Sequence, residues 1–448
     1  MPSSGALATM TRILTITSWY PPHHYGGYEL SCLDVMTRLA ARGHDVRVLC
    51  GDERLPGAAR PDPDHEKLVH RELRPHWLEG STARPSLRNR LAIERHNRSV
   101  LERHLADHRP DVVSVWHMLA VSLGLVRRLA DKGVPAVYVV CDDWLVYGEE
   151  MDAWMSLFRG GSLRALAGRA AEAATSLPTR MGNLEEHAAF CFVSESVRTR
   201  ARARRPWSYP VSTVVYSGIE REAFPTLDVP PDRPWNWRLL YVGRFDAWKG
   251  IDTLLRALGS LPPQTTLACY GRGAVRERER LTSLAAALGV SERVTFGSLE
   301  RDELASRYQA ADVLVFPSEW EEPFGLVPIE AMACGTPVVA TGVGGSAEFL
   351  RDGFNSVLFP AGDAAALASA VRRLHADRGL RQRVVQGGLR TAEQLDVGHL
   401  ADVLEKWHVA AADGFAHGRP ADRKLDLPAV PQAHCAVETE GTEGTADA

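Results

Sequence analysis

Short apolar runs alternate with longer amphipathic segments from about residue 12 to residue 410. Arg12–Ser18 (RILTITS), Asp45–Cys50, Asp111–Val115 and Val134–Val140 are rich in β-branched residues, the pattern of strands buried on both faces of a parallel sheet. Between the first two, Glu29–Arg42 sets Leu30, Leu33, Met36, Leu39 and Ala40 at helical spacing and stops at Gly43. Arg84–His108 reads as a long polar helix once past Pro85, and residues 52–83 as a variable loop with short strands. Tyr147–His187 reads as helical. Ala189–Ser194 and Val211–Tyr216 are further strands, with Ser194 and Ser196 able to cap the helix after the first.

A Pro- and Asp-rich stretch, Pro225–Pro234, marks a boundary. Beyond it the alternation restarts, with strands at Arg238–Val242, Thr266–Gly271, Val294–Gly297, Asp312–Phe316 and Val338–Ala340. The chain is helical from Pro360 to about Ala410. His417–Ala448 is rich in Pro, Gly and acidic residues with few large apolar ones, a composition expected to be disordered. Strands alternating with helices predict parallel sheets covered on both faces.

Composition narrows the class. The 448 residues are enough for two or three domains, each with its own core. Apolar residues at 45% and charged ones at 24% are ordinary for a soluble protein. A net charge of −4 gives no overall pull toward nucleic acid. Lysines are only Lys67, Lys132, Lys249, Lys406 and Lys424, an Arg bias that suggests a high-GC bacterial genome. The seven cysteines are scattered without a CxxC, which fits a reducing cytoplasm and argues against a disulfide framework or a zinc site. No stretch approaches the ~20 apolar residues of a membrane span. A cytoplasmic protein is expected. The Arg-rich helix and Arg198–Arg205 (RTRARARR) leave open a peripheral contact with an anionic membrane.

Candidate chemistry sits at strand ends. Gly26-Gly27 follows the first strand and precedes a helix, without the G-x-G-x-x-G fingerprint. Two adjacent glycines either admit a ligand to free N–H groups or simply allow a turn. Trp116 and His117 end one strand, and Cys141 and Asp142 end the next. In the second half Arg244 and Lys249, five residues apart, can converge on one phosphate, Arg as a fork and Lys as a point charge. Glu322 lies in the loop after Phe316, and Glu330 lies in the helix that starts at Gly325. Asp62-Pro-Asp64 spells D-x-D, but in a loop broken by prolines, and is set aside as a metal motif. No metal ligands and no cofactor are assigned.

Glu322-Pro-Phe-Gly, Glu330, Cys334-Gly-Thr-Pro-Val-Val and Gly344-Gly-Ser-Ala-Glu348, with Arg244 and Lys249 upstream, resemble the signature of the retaining glycosyltransferases of family four. The resemblance covers roughly residues 11 to 410 and is strongest in the C-terminal half. It implies an α/β protein of GT-B fold: two facing Rossmann-like domains with a C-terminal helix crossing back to the first. The corresponding boundaries are a flexible start at 1–10, an acceptor-side domain at 11–224 and a linker at 225–236. A donor-side domain at 237–394, a crossing helix at 395–415 and a disordered tail at 416–448 complete the division. The implied donor is a nucleotide diphosphate sugar, and the acceptor a hydroxyl on a small molecule, glycan or lipid-linked compound, with no metal.

Residue by residue, the resemblance sets Gly26 and Gly27 beside the donor diphosphate and gives Arg244 and Lys249 to binding it. Glu330 would hold the ribose hydroxyls. Glu322, with Phe324, Gly325 and Leu326, would hold the transferred sugar. His117 would contact that sugar, and the catalytic set is Glu322, His117, Arg244 and Lys249. Asp142 and Trp116 are assigned to the acceptor side, and Tyr147–His187, the part least like the family, is a candidate for acceptor recognition. Two departures stand out: Trp116 occupies the usual histidine position one place before His117, and Cys141 replaces a common histidine before Asp142. They motivate an alternative, a catalytically idle sugar-nucleotide-binding protein. A reversible enzyme like sucrose synthase or a phosphorylase is the other.

Overall fold

The apolar runs assemble into two parallel sheets. A computed structural model describes residues 10–55, 58, 62–77, 85–226 and 234–416. Nearly all of the expected flexible start, much of the linker, Arg84 and the tail from 417 on lie outside the described residues.

The first sheet contains β1 (Arg12–Ile16), β2 (Asp45–Gly51), β3 (Val69–Leu73), β4 (Val112–Val115), β5 (Ala136–Val140), β6 (Ala188–Phe192) and β7 (Ser212–Val214), in spatial order β3-β2-β1-β4-β5-β6-β7. The second contains β8 (Arg238–Val242), β9 (Thr266–Tyr270), β10 (Val294–Gly297), β11 (Val313–Phe316), β12 (Val338–Ala340) and β13 (Val357–Leu358), ordered β10-β9-β8-β11-β12-β13. Central strands are almost wholly apolar because helices cover both faces: every residue of β4, β5, β6 and β11 is buried, Ser114 of β4 included. Ile13 pairs with Val46 on one side and Val112 on the other. In each sheet the strand order reverses beside its first strand, between β1 and β4 and between β8 and β11. Helices leaving those strands diverge and open a crevice at the carboxyl ends, where ligands bind in such sheets.

The last described helix, Val397–Ala416, returns to the first sheet. It buries Leu400, Leu404, Trp407 and Ala411 in one core with residues of β1, β4 and β5. The chain therefore crosses between the sheets twice, and the two crossings are hydrogen-bonded to each other. Ile219 N–H donates to Leu395 O (3.0 Å), and Val397 N–H donates to Ile219 O (2.9 Å). A Cβ on Gly218 would sit 2.5 Å from the Asp396 carbonyl carbon, so only glycine permits this approach.

Tyr147–His187 departs from expectation. It forms a helix at Trp144–Met151, a 3₁₀ turn at Met155–Phe158 and a helix at Gly161–Thr175, with irregular chain to Leu184. The break is caused by Asp152, whose Oδ1 accepts from the N–H groups of Trp154 (2.9 Å) and Met155 (2.7 Å), while Oδ2 accepts from Leu123 N–H (2.9 Å). A short acidic side chain that captures backbone donors competes with the helical ladder. The Arg-rich helix spans Leu87–His108 and buries Glu94, Asn97, Val100, Leu101, His104 and His108 along one face. Asp62 of the D-x-D caps a four-residue helix, and Asp64 pairs with Lys67. Among the described residues no helix is long and apolar enough to cross a membrane.

Candidate active site

The carboxyl ends of β8 and β11 bring together the residues of the second half. After β8 the chain makes a short turn at Ala247–Lys249 and reaches Gly250, at φ +70°. A Cβ there would lie 1.9 Å from Pro317 O, so glycine lets the two strand-end loops lie in contact. Lys249 Nζ donates to Glu322 Oε1 (2.5 Å), and Ser318 Oγ donates to the same oxygen (2.7 Å). Glu322 is held at its main chain as well, Gly345 N–H donating to Glu322 O (2.6 Å). Arg244 is more open and pairs through Nε with Asp246 Oδ2 (2.9 Å).

Gly325, at φ +100°, starts the helix Leu326–Ala333 that carries Glu330. Glu330 Oε2 accepts from Tyr308 O–H (2.6 Å). Burial pushes the Glu330 carboxyl above its ordinary range, against the Tyr308 hydrogen bond and the charge of Arg301. Leu326 reaches across to the first domain, where a Cβ on Gly27 would meet its Cδ1 at 2.9 Å. Phe324, expected on the donor side, turns its side chain into the packing of the loop. Its ring is buried between Tyr216 and Phe349, at centroid distances of 5.4 and 5.1 Å.

The carboxyl ends of β1, β4 and β5 gather the residues of the first half. His117 is buried, with Nε2 3.3 Å from Asp142 Oδ2. Its ring stacks on Trp19 (5.3 Å) and tilts against Tyr28 (4.7 Å). Its Nδ1 has no hydrogen-bond partner among the described residues. Asp142 also accepts from Tyr147 O–H (3.0 Å), whereas Asp143 is turned into an ion pair with Arg200.

Two more expectations change here. Trp116 is buried, and its indole N–H is taken up by Ser114 Oγ in the core (2.9 Å). Residues i and i+2 of an extended chain share a face, so Trp116 lies on the side of Ser114 and His117 on the opposite one. The amide of Gly26 is also engaged, donating to Glu29 Oε2 (3.0 Å), with Tyr25 N–H near Oε1 (3.4 Å). Burial raises the Glu29 carboxyl to about 7, with the charge of His117 opposing.

Several arginines of the two basic segments have partners within the first domain. Arg200, Arg204 and Arg205 pair with Asp143, Glu150 and Glu149, and Arg90 and Arg98 donate to the carbonyls of Ala153 and Ser176.

Sequence reasoning did not assign four contributors: Glu29, Ser318, Tyr308 and the target of Glu348. Glu29 was detectable in principle, since a glutamate three residues after an N-cap is a capping-box signal. Glu348 reaches over the crevice and accepts from Glu195 N–H (3.0 Å) and Ser196 N–H (2.9 Å) at the start of the helix Glu195–Arg204. Arg301 with Asp34 (3.2 Å) and Arg200 with Glu321 (3.1 Å) bridge the domains too. A cavity of about 300 Å³ lined by Phe224, Thr226, Ala333 and Arg390 holds none of the candidate residues.

Comparison with known proteins bears on the family and the fold. A family described as "Glycosyltransferase Family 4" matches residues 25–223, and one described as "Glycosyl transferases group 1" matches residues 232–390. The D-inositol 3-phosphate glycosyltransferase of Streptomyces bingchenggensis is 36% identical over 47% of this chain and 49% of its own. The chain thus matches that relative over about half of the relative's length. An uncharacterized glycosyltransferase of Methanocaldococcus jannaschii is 26% identical over 84% of this chain and 91% of its own. Among solved structures, sucrose-phosphate synthase from Thermosynechococcus elongatus is similar with a TM-score of 0.67 at 23% identity, covering 91% of this chain and 99% of that one. Anabaena HepE, solved in complex with UDP, gives 0.61 at 21%, covering 89% and 99%.

Proposed function

The chain belongs to the family 4 glycosyltransferases of GT-B fold, and from that premise we propose that it transfers a sugar from a nucleoside diphosphate sugar to an acceptor hydroxyl. The transfer retains the configuration at the anomeric carbon and uses no metal. The observation that carries this reading is the Lys249–Glu322 contact of 2.5 Å, with Glu330 eight residues further on, at the crevice between β8 and β11.

Lys249 and Arg244 offset the charge that grows on the departing diphosphate, acting at the point where negative charge develops. Lys249 carries three donors, so it can keep Glu322 and still reach a phosphate oxygen. Lys249 and Ser318 both bind Oε1 of Glu322. Its Oε2 is left to accept a sugar hydroxyl. Tyr308 fixes one oxygen of Glu330, and the other accepts from the ribose. From the facing domain His117 Nδ1 meets a sugar hydroxyl. The bond between the anomeric carbon and the diphosphate oxygen breaks, the acceptor oxygen bonds to that carbon on the same face, and its proton passes to the departing phosphate.

The test is thermal unfolding with UDP, GDP, TDP and ADP in turn, followed by incubation with the matching labelled nucleotide sugars. One preferred diphosphate should raise the midpoint by mass action, and its sugar should be transferred or released. No shift with any of the four would overturn the donor assignment. A shift without product would favour an idle binding protein.

A further inference from the structure

Among the described residues two clusters of potential metal ligands lie outside the crevice, and their chemistry differs. In the first, His76, Glu94 and Asp152 are all buried. Glu94 accepts from His76 Nε2 (2.7 Å) and Ser122 Oγ (2.6 Å), and both oxygens of Asp152 accept from backbone N–H groups. Every carboxylate oxygen there already has a donor, so the carboxylates are committed to anchoring the loop after β4, although His76 Nδ1 has no partner among the described residues.

The second cluster is open. His70 and Glu72 stand two apart on β3, the edge strand of the first sheet, and so share a face. His104 comes from the helix Leu87–His108 that lies over that face. Glu72 Oε1 is 3.4 Å from His70 Nδ1 and 3.5 Å from His104 Nε2. Both separations are long for hydrogen bonds. They match the edge of a coordination tetrahedron, since metal–ligand bonds of about 2.0–2.1 Å set neighbouring ligands roughly 3.3–3.4 Å apart. The side chain of His104 is 4% exposed, and its Nε2, aimed at this point, has no hydrogen-bond partner among the described residues. A buried imidazole nitrogen without a partner calls for an explanation.

We propose that His70, Glu72 and His104 bind one divalent transition-metal ion of the zinc class, with three protein ligands and a fourth position open to solvent. Two imidazoles and one carboxylate suit zinc or cobalt, whereas magnesium and calcium need oxygen ligands. Arg103 pairs with Oε2 of Glu72 and fixes its orientation, the part that outer partners play at metal sites. One existing contact is given up. Metal on Nε2 puts the ring proton on Nδ1, which now lies 3.4 Å from Arg47 Nη1. The ion would clip an edge strand to the helix above it, and it is built from none of the residues assigned to sugar transfer.

The test titrates cobalt(II) into the chelator-stripped full-length chain with magnesium in excess, following visible absorption. One equivalent should give the strong bands of four-coordinate cobalt, displaced by zinc, and zinc should raise the unfolding midpoint. His70→Gln and His104→Gln should each weaken binding at least about tenfold without changing the midpoint of the metal-free protein. Arg47→Gln should tighten it, a gain that disturbed folding would not produce. Six-coordinate spectra, or binding unchanged in His70→Gln, would overturn the proposal.

Discussion

Lys249 Nζ and Glu322 Oε1, 2.5 Å apart, tie the loop after β8 to the loop after β11. Both side chains are largely withdrawn from water, at 20% and 7% exposure. Removing the lysine leaves a buried carboxylate with one hydroxyl donor, which is costlier than neutralising the carboxylate itself. Lys249→Met should therefore destabilise the fold by about 1–3 kcal/mol, and Glu322→Gln by less. Lys249→Met should also lose at least a factor of ten in diphosphate affinity. Thermal unfolding and calorimetry decide it, and equal stabilities with unchanged affinity would remove the lysine from the site.

Glu330 is assigned to the ribose, so its effect should depend on the ribose hydroxyls. Glu330→Ala should weaken nucleoside diphosphate binding by about 1.5–3 kcal/mol per charged hydrogen bond lost. A deoxyribose analogue should bind wild type and variant alike. Discrimination between the two sugars that persists in Glu330→Ala would place the ribose elsewhere.

His117 and Trp116 should separate cleanly. His117→Ala is expected to lower kcat by roughly one to two orders of magnitude, about 1.4–2.7 kcal/mol, with free diphosphate binding intact. Trp116→Ala empties a core position and should cost about 3–5 kcal/mol of stability. Matched measurements of turnover and unfolding on both variants are needed. Normal turnover in His117→Ala would exclude it from the sugar contact.

Glu29 gives a pH signature. Its carboxyl sits at about 7 when folded and near 4.5 otherwise, so the folded state keeps a proton that the unfolded chain has lost across that window. Stability must then fall as pH rises from 4.5 to 7, by up to about 3 kcal/mol at 1.36 kcal/mol per unit. Glu29→Gln should flatten that slope relative to wild type in denaturant titrations. Parallel curves would mean that Glu29 titrates normally.

Turnover should persist after chelation in protein that stays folded, because Arg244 and Lys249 supply the positive charge at the diphosphate. Assays in EDTA with circular dichroism on the same sample test this. Loss of turnover restored by magnesium or manganese would return a metal to the reaction.

Much of the fold was legible because a buried parallel strand is a local event. Val313–Phe316 and Ala136–Val140 carry their burial in consecutive residues, and Gly325 announces the helix that holds Glu330. What stayed hidden depended on partners distant in sequence or on one side chain's choice of donor. Asp152 breaks its helix by taking the amides of Trp154, Met155 and Leu123. Glu29 takes an amide that a glycine pair alone would leave open. His104 meets His70 only because a helix folds over an edge strand. The alternation that separates Trp116 from His117 becomes readable only when the register of β4 is known.

The paired crossings at Ile219 and Asp396 have a mechanical consequence. A single tether would let the two halves swing in any direction. Two tethers pinned side by side act as a door hinge, leaving rotation about one line as the motion that breaks no backbone pairing there. Glu348 on the amides of Glu195 and Ser196, Arg301 on Asp34 and Arg200 on Glu321 are then the bolts of that door.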